Sequence, residues 1–264
     1  MKKLFTITLT VIIVGKTLSQ NSSDSIKENK IYIDLFCNYG FLPVGGQAIG
    51  YKNTSSGVEN VYGSYGQGLS YGSNIGYMFN NHISGELGFS ILSGKVYKAN
   101  YNEQYFSSEN KFNGKMSRLE LGLKITTGKT FKPFLKFGII YGIKTEINGE
   151  IVHSITMSSV DYTTKEKYSG GFCFGHKVSL GSDYNISKLI TLFLDIQMIT
   201  ITWAPEKLES TLTINYNGTN STIQSTTIFV DKLTGQSSTD LKHYYPFGSF
   251  GITTGIKFKF LRTK

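Results

Sequence analysis

Four histidines, at positions 82, 153, 176 and 243, are the side chains of this sequence best suited to general base work at neutral pH. Serine lies near two of them, in His153-Ser154 and in His176 with Ser179. The chemistry to look for is therefore a histidine-activated serine nucleophile. That chemistry needs base and nucleophile on one side of the backbone. His176 and Ser179 stand three apart in a segment that alternates with period two, which puts them on opposite faces. His153 and His243 fall in long connections without a carboxylate orienter at a defined spacing. No HExxH, CxxC or other clustered metal-ligand spacing occurs. Gly66, Gly68, Gly72 and Gly76 have no strand–turn–helix context for a phosphate loop. The expectation is no catalytic residue, no metal and no cofactor, with an enzyme kept as the last alternative.

The elements that must position these residues are strands. Two-residue alternation recurs in eight segments. Ile31 to Phe41 puts Ile33, Leu35 and Cys37 opposite Asp34, Asn38 and Gly40. From about Tyr65 to Phe79, Leu69, Tyr71 and Ile75 oppose Gly68, Ser70 and Asn74. The third segment, Ile83 to about Ser93, sets Leu87, Phe89 and Ile91 against Glu86, Gly88 and Ser90. In Lys115 to Ile125, Leu119, Leu121 and Leu123 oppose Arg118, Glu120 and Lys124. Phe134 to Lys144 opposes Leu135, Phe137 and Ile139 to Lys136, Gly138 and Gly142. The last three run from Gly171 to Tyr184, Leu189 to Trp203 and about Phe247 to Phe260.

Between the segments, long and short connections alternate without exception: 42–64, 80–82, 94–114, 126–133, 145–170, 185–188 and 204–246. A membrane barrel has this arrangement, with short turns on one side and long loops on the other. The segments run eleven to fifteen residues, against the roughly ten that a tilted strand needs to cross an apolar band of ~25 Å. One face of each is aliphatic, and aromatics gather toward the ends. Tyr32, Tyr77, Phe79, Tyr184, Phe258 and Phe260 read as one interfacial girdle, and Tyr39, Tyr65, Tyr141, Tyr168 and Trp203 as the other. The expected fold is all-β: an eight-stranded antiparallel up-and-down transmembrane β-barrel over 31–264 with long extracellular loops. Asn217-Gly218 between Thr-rich arms predicts a hairpin within 204–246, read as an extracellular extension, with a ten-stranded barrel as the alternative.

The inward face then carries Asp34, Glu86, Glu120, Asp183 and Asp195 with Arg118, Lys124, Lys136, Lys144, Lys177, Lys257 and Lys259. Charges in so narrow a lumen must pair or stay wet. The candidate network is Glu86, Arg118, Glu120, Lys136, Lys177 and Asp195. A turn centred at 186 sets Lys177 opposite Asp195, and one centred at 187 leaves them diagonal. Arg118 is expected between Glu86 and Glu120. A hydrated, charge-paired filling is the main expectation, and a narrow ion path gated by exchange of pairs is its competitor.

Met1-Lys2-Lys3, the apolar run Leu4 to Val14 and Thr17-Leu18-Ser19 read as a secretory signal over 1–19, followed by a periplasmic segment over 20–30. The apolar run is too short for a transmembrane helix. Removing the signal takes Lys2, Lys3 and Lys16 from the formal +9, leaving 245 residues at +6. The basic excess falls on the lumen and the short-turn end, at Lys124, Lys129, Lys132, Lys188, Lys257, Lys259, Arg262 and Lys264. This argues against a nucleic-acid surface and for a cationic rim facing anionic headgroups. Cys37 and Cys173 lie on opposite faces of their strands, as two free thiols would.

The signal, the eight alternating segments and the last strand, Phe250-Gly-Ile-Thr-Thr-Gly-Ile-Lys-Phe-Lys-Phe260, resemble the small outer-membrane barrels similar to OmpX and the OmpA membrane domain. The porin-like barrels of the Bacteroidota are nearest in flavour. The resemblance covers nearly all of the mature chain as a pattern rather than a residue motif. It implies the Gram-negative cell outer membrane as location, outer-membrane lipids as surroundings, and the barrel-assembly machinery as a partner that reads the final strand. Leu261 to Lys264 depart from that pattern by following the terminal aromatic. The expected role is structural or adhesive, through a ligand of the extracellular loops. A narrow pore comes second, and a lipid-modifying enzyme, as some barrels of this size are, third.

Overall fold

A computed structural model of the chain describes residues 28–54, 57–103, 105–128, 130–155, 160–233 and 238–261. The expected signal lies outside them. Sixteen strands and no helix occur among the described residues. The first eight are β1 (Glu28–Val44), β2 (Gln47–Thr54), β3 (Gly57–Gly63), β4 (Gly68–Met78), β5 (Ile83–Gly94), β6 (Tyr97–Glu103), β7 (Phe106–Thr126) and β8 (Phe131–Ile155). The rest are β9 (Val160–Ser169), β10 (Cys173–Asn185), β11 (Ile190–Trp203), β12 (Lys207–Tyr216), β13 (Thr219–Val230), β14 (Thr239–Leu241), β15 (Tyr245–Pro246) and β16 (Gly248–Leu261).

Hydrogen-bonded pairing leads from β1 to β4, β5, β7, β8, β10, β11 and β16, and from β16 back to β1, every pair antiparallel. These eight correspond to the eight alternating segments. The expected total of eight strands is corrected to sixteen, because most of the long connections are themselves β-structure. β2 and β3 form a separate hairpin. β6, the upper halves of β7 and β8, and β9, β12, β13 and β14 continue the main sheet beyond the ring. Their sequences are rich in Thr, Ser, Asn and Lys on both faces, so β-propensity is present without the apolar period that reveals it. β1 also starts at Glu28, so the end of the expected periplasmic segment is strand.

The Asn217-Gly218 hairpin forms as expected. Both turn residues have positive φ, 48° and 81°, as a two-residue type I′ turn requires. Because β11 pairs directly with β16, β12 and β13 stay out of the ring, and the ten-stranded alternative falls.

Polarity across the ring is inverted relative to a soluble domain. Leu121 is 64% exposed, while its neighbours Arg118 and Glu120 are 3% and 8% exposed. Leu35, Leu87, Leu180, Leu194 and Ile252 are exposed in the same way, and Cys37 with them. Cys173 is buried on the inner face. One register irregularity breaks this phase. Ser117 pairs with Lys144 and Arg118 with Gly142, leaving Ile143 as an extra residue in β8. A bulge of one residue exchanges the faces beyond it. Thr145 and Ile147 therefore turn inward, and Lys144, expected inside, lies exposed beside Glu146.

Candidate functional site

The interior of the ring has two storeys. The one toward the short turns is ionic: Asp34, Glu86, Glu120, Asp183 and Asp195 are buried there with Arg118, Lys124, Lys136, Lys177, Lys257 and Lys259. Five acids face six bases, each carried by the inward phase of a ring strand. Lys136 Nζ lies 2.5 Å from Glu86 Oε2 and 3.0 Å from Glu120 Oε1. The second contact is an ion pair by distance, without the alignment of a hydrogen bond. Lys177 donates to Glu120 Oε2 at 2.7 Å. Toward the turns, Asp183 accepts from Lys124 at 2.9 Å and from Lys257 at 2.8 Å. Tyr32 ties the two groups together. Its hydroxyl donates to Glu86 Oε1 at 2.7 Å, and its ring lies 4.4 Å beneath the Lys257 ammonium.

Four of the six expected network residues, Glu86, Glu120, Lys136 and Lys177, thus share one cluster of direct contacts, with different partners from those expected. Lys136, rather than Arg118, bridges Glu86 and Glu120. Arg118 sits in the field of Glu120 with its Nε unpartnered. The Lys177–Asp195 pair does not form. Ile186 and Ser187 N–H both donate to Ile190 O, which widens the turn and centres the hairpin on 188. Lys177 then stands across from Ile199, and Asp195 across from Gly181 on one side and Thr253 on the other. Thr253 hydrogen-bonds Asp195. Lys124, Asp183 and Lys257, read as inward but left out of the network, form its second centre.

Little space is left in this storey. About 10 Å³ remains among Phe36, Arg118, Glu120, Lys177 and Gln197, room for about one water. About 40 Å³ remains at the short-turn mouth, around Tyr32, Ser84 and Asp183. The glycines of the inner wall explain how so many long side chains fit. A Cβ on Gly138 would press on Glu120, and one on Gly76 would overlap the Tyr32 ring. Gly76→Ala should displace Tyr32 from Glu86 and lower the temperature at which the folded band disappears on semi-native gels. An unchanged transition would show that the ring has room to move.

The storey toward the long connections is apolar. Leu92, Met116, Ile140, Ile147, Cys173, Ile199, Ile201, Trp203 and Phe247 form one buried cluster with Tyr65. The turn Ser64–Gln67 carries Tyr65 into it. Tyr65 N–H donates to Pro246 O at 2.9 Å, Ser64 Oγ to Gly248 O at 2.6 Å and Gln67 Nε2 to Phe41 O at 2.7 Å. Gly66 lies so close to the Phe247 carbonyl that no Cβ fits. Trp203 is fully buried, its Nε1–H donating to Gly170 O at 2.9 Å. Tyr245 stands against Trp203, Tyr65 and Tyr168, and Tyr168 stacks on Phe229. Tyr168 also donates to Glu166 Oε2 at 3.0 Å. Burial pushes the Glu166 carboxyl up, against the opposing pull of that hydrogen bond.

This plug corrects the expected girdles: Tyr32, Tyr65, Tyr168 and Trp203 point inward or pack on the plug. Tyr39, Tyr77, Phe79, Tyr141, Phe258 and Phe260 are exposed on the outer face, as expected. The signal was in the strand phases. Trp203 has the parity of Asp195 and Gln197, and Tyr32 that of Asp34.

The histidines are dispersed. His176 is exposed on the outer face beside Phe174, while Ser179 is buried on the inner one. His153 stacks on Phe106, His82 contacts Thr126 O, and His243 lies 3.9 Å from Asp240. Among the described residues no cluster of His, Cys, Asp and Glu is placed to hold a metal ion.

No protein-family model and no curated protein matches the sequence. Among solved structures, the chain is similar to a major outer membrane protein from Thermus thermophilus. Identity is 10%, the TM-score 0.42, and 87% of this chain and 99% of the other are covered. It is also similar to the outer membrane protein AlkL in lipid bilayers, at 13% identity and a TM-score of 0.36, covering 93% and 98%. Neither likeness is close enough to carry a function to this chain.

Proposed function

We propose that the ring of eight paired strands spans the outer membrane as a sealed barrel, and that the chain acts outside the cell through the β-sheet that rises from it. The observation that carries this reading is the inverted polarity of the ring: aliphatic side chains outward, and eleven buried charges inward. A soluble domain would expose the charges, whereas lipid requires the apolar face outside and every backbone group paired within a closed sheet. In this reading the exposed aliphatic belt meets outer-membrane lipids, the barrel-assembly machinery receives β16, and the N-terminal segment directs export. The role is structural or adhesive, with no cofactor and no catalytic residue assigned.

A sealed lumen follows from the two storeys together, since an ion would have to break the Lys136 bridge and then displace Trp203 or Tyr65. Purified barrel that shows a heat-modifiable shift on gels should be electrically silent in planar bilayers. Steady stepwise conductance, changed by Glu120→Gln, would replace this reading by the narrow pore.

A further inference from the structure

One edge of the sheet beyond the ring is unguarded. β13 pairs regularly with β12 from Lys207↔Ile228 to Tyr216↔Thr219, without a bulge. On its other side, among the described residues, only Ile228, Phe229 and Val230 are paired, with β14. Thr219 to Thr227 therefore presents a free row of backbone donors and acceptors. Edges of this length ordinarily carry lysine, proline or a bulge that repels a second strand. Here the edge reads Thr-Asn-Ser-Thr-Ile-Gln-Ser-Thr-Thr, and no charged residue or proline occurs anywhere from Ser210 to Val230.

The edge also has a symmetry of its own. About Ile223, Ser221 mirrors Ser225 and Thr219 mirrors Thr227, while Thr222 answers to Gln224 and Asn220 to Thr226. An antiparallel pair centred there would set Ile opposite Ile, Ser opposite Ser and Thr opposite Thr. In an antiparallel pair of identical strands each contact is made twice about the twofold axis, and here each joins uncharged side chains. Neutrality matters for the same reason: a charged residue on this edge would stand close to its own copy across the axis and repel it. Ile223, 54% exposed, is the large apolar side chain that such a contact would cover.

We propose that β13 is a docking edge for β13 of a second copy of this chain, paired antiparallel with Ile223 on the twofold axis. The proposal rests on the reading that this sheet projects from the membrane surface, and names the partner of that surface.

Crosslinking and mass decide it, in detergent-folded protein carrying Cys37→Ser so that the exposed native thiol is silent. Ile223→Cys should give a disulfide-linked dimer under mild oxidation, because residues directly opposite in an antiparallel pair bring their Cβ atoms within about 4.5–5.5 Å. Thr219→Cys alone should stay monomeric, and Thr219→Cys/Thr227→Cys should crosslink. Light scattering should give the unsubstituted protein twice the protein mass of Thr222→Lys/Gln224→Lys, which sets lysines against each other across the axis. Equal monomeric masses, or Thr219→Cys crosslinking as readily as Ile223→Cys, overturn the proposal. All variants should keep the heat-modifiable shift of the barrel. Its absence in the unsubstituted protein would sink the barrel reading, while the masses still decide the pairing.

Discussion

Lys136→Met should cost the folded barrel about 3–5 kcal/mol, the scale of breaking a buried pair by removing one partner. Lys136 is the one cation within 4.0 Å of Glu86 among the described residues, and it also contacts Glu120. Its loss leaves Glu86 with the Tyr32 hydroxyl as hydrogen-bond donor and only the more distant Lys124 and Lys257 for charge, in a space that admits almost no water. Glu120 fares better, since Lys177 remains at 2.7 Å. That asymmetry supplies the control. Adding Glu86→Gln to Lys136→Met neutralises the orphaned acid, keeps an acceptor for Tyr32, and should recover most of the loss. Urea unfolding in lipid vesicles reads both variants. A single variant within about 1 kcal/mol of the unsubstituted protein would mean that water reaches Glu86, on the scale of an exposed pair.

Trp203→Ala should be the most costly change in the apolar storey, at about 3–5 kcal/mol for a fully buried large aromatic. Two losses combine in it. The indole packs against Tyr245 and Phe247, and its N–H satisfies the Gly170 carbonyl where the chain enters β10. Trp203→Phe keeps most of the volume and removes only the hydrogen bond, and should cost nearer 1 kcal/mol. Neither variant should conduct, because the ionic storey beneath is still closed. Conductance in Trp203→Ala with silence in Trp203→Phe would instead place the whole seal in the plug.

The ring was legible from the sequence because a half-buried strand writes its two faces into alternate residues. Leu119 to Ile125 shows this plainly, and the same alternation placed Glu86, Glu120, Lys136, Lys177 and Asp195 inside. Pairing inside was not legible, for two physical reasons. Partners were set by turn width: two N–H groups sharing Ile190 O moved the hairpin centre to 188 and separated Lys177 from Asp195. Contacts that skip a strand, such as Lys136 on β8 reaching over Gly122 of β7 to Glu86 on β5, have no local signature. The bulge at Ile143 hid the exposure of Lys144 and the inward turn of Ile147. The plug was masked differently, because Trp and Tyr suit a membrane interface as well as a core, and residue type was allowed to outweigh strand phase. In the sheet beyond the ring, two polar faces left no period to read.

Asp183 has a consequence for the order in which this chain can assemble. It stands on β10, and its two lysines come from β7 and β16, 59 and 74 residues away in sequence. No hairpin of neighbouring strands can bring either to it. Until β8 is paired on both sides, with β7 and with β10, and β16 is laid beside β11, the acid has every reason to hold on to its water. Tyr32 extends the same condition to β1, the last strand that β16 must find. Contacts so distant in sequence are paid for in loop entropy before they return anything, so two-stranded pieces of this sheet should be hydrated, open and short-lived. The charges at the bottom of the lumen act in this way as a staged latch: they reward each run of three consecutive strands, β7 to β10 and then β10 to β16, and the Lys257 ammonium against the Tyr32 ring rewards the closed circle.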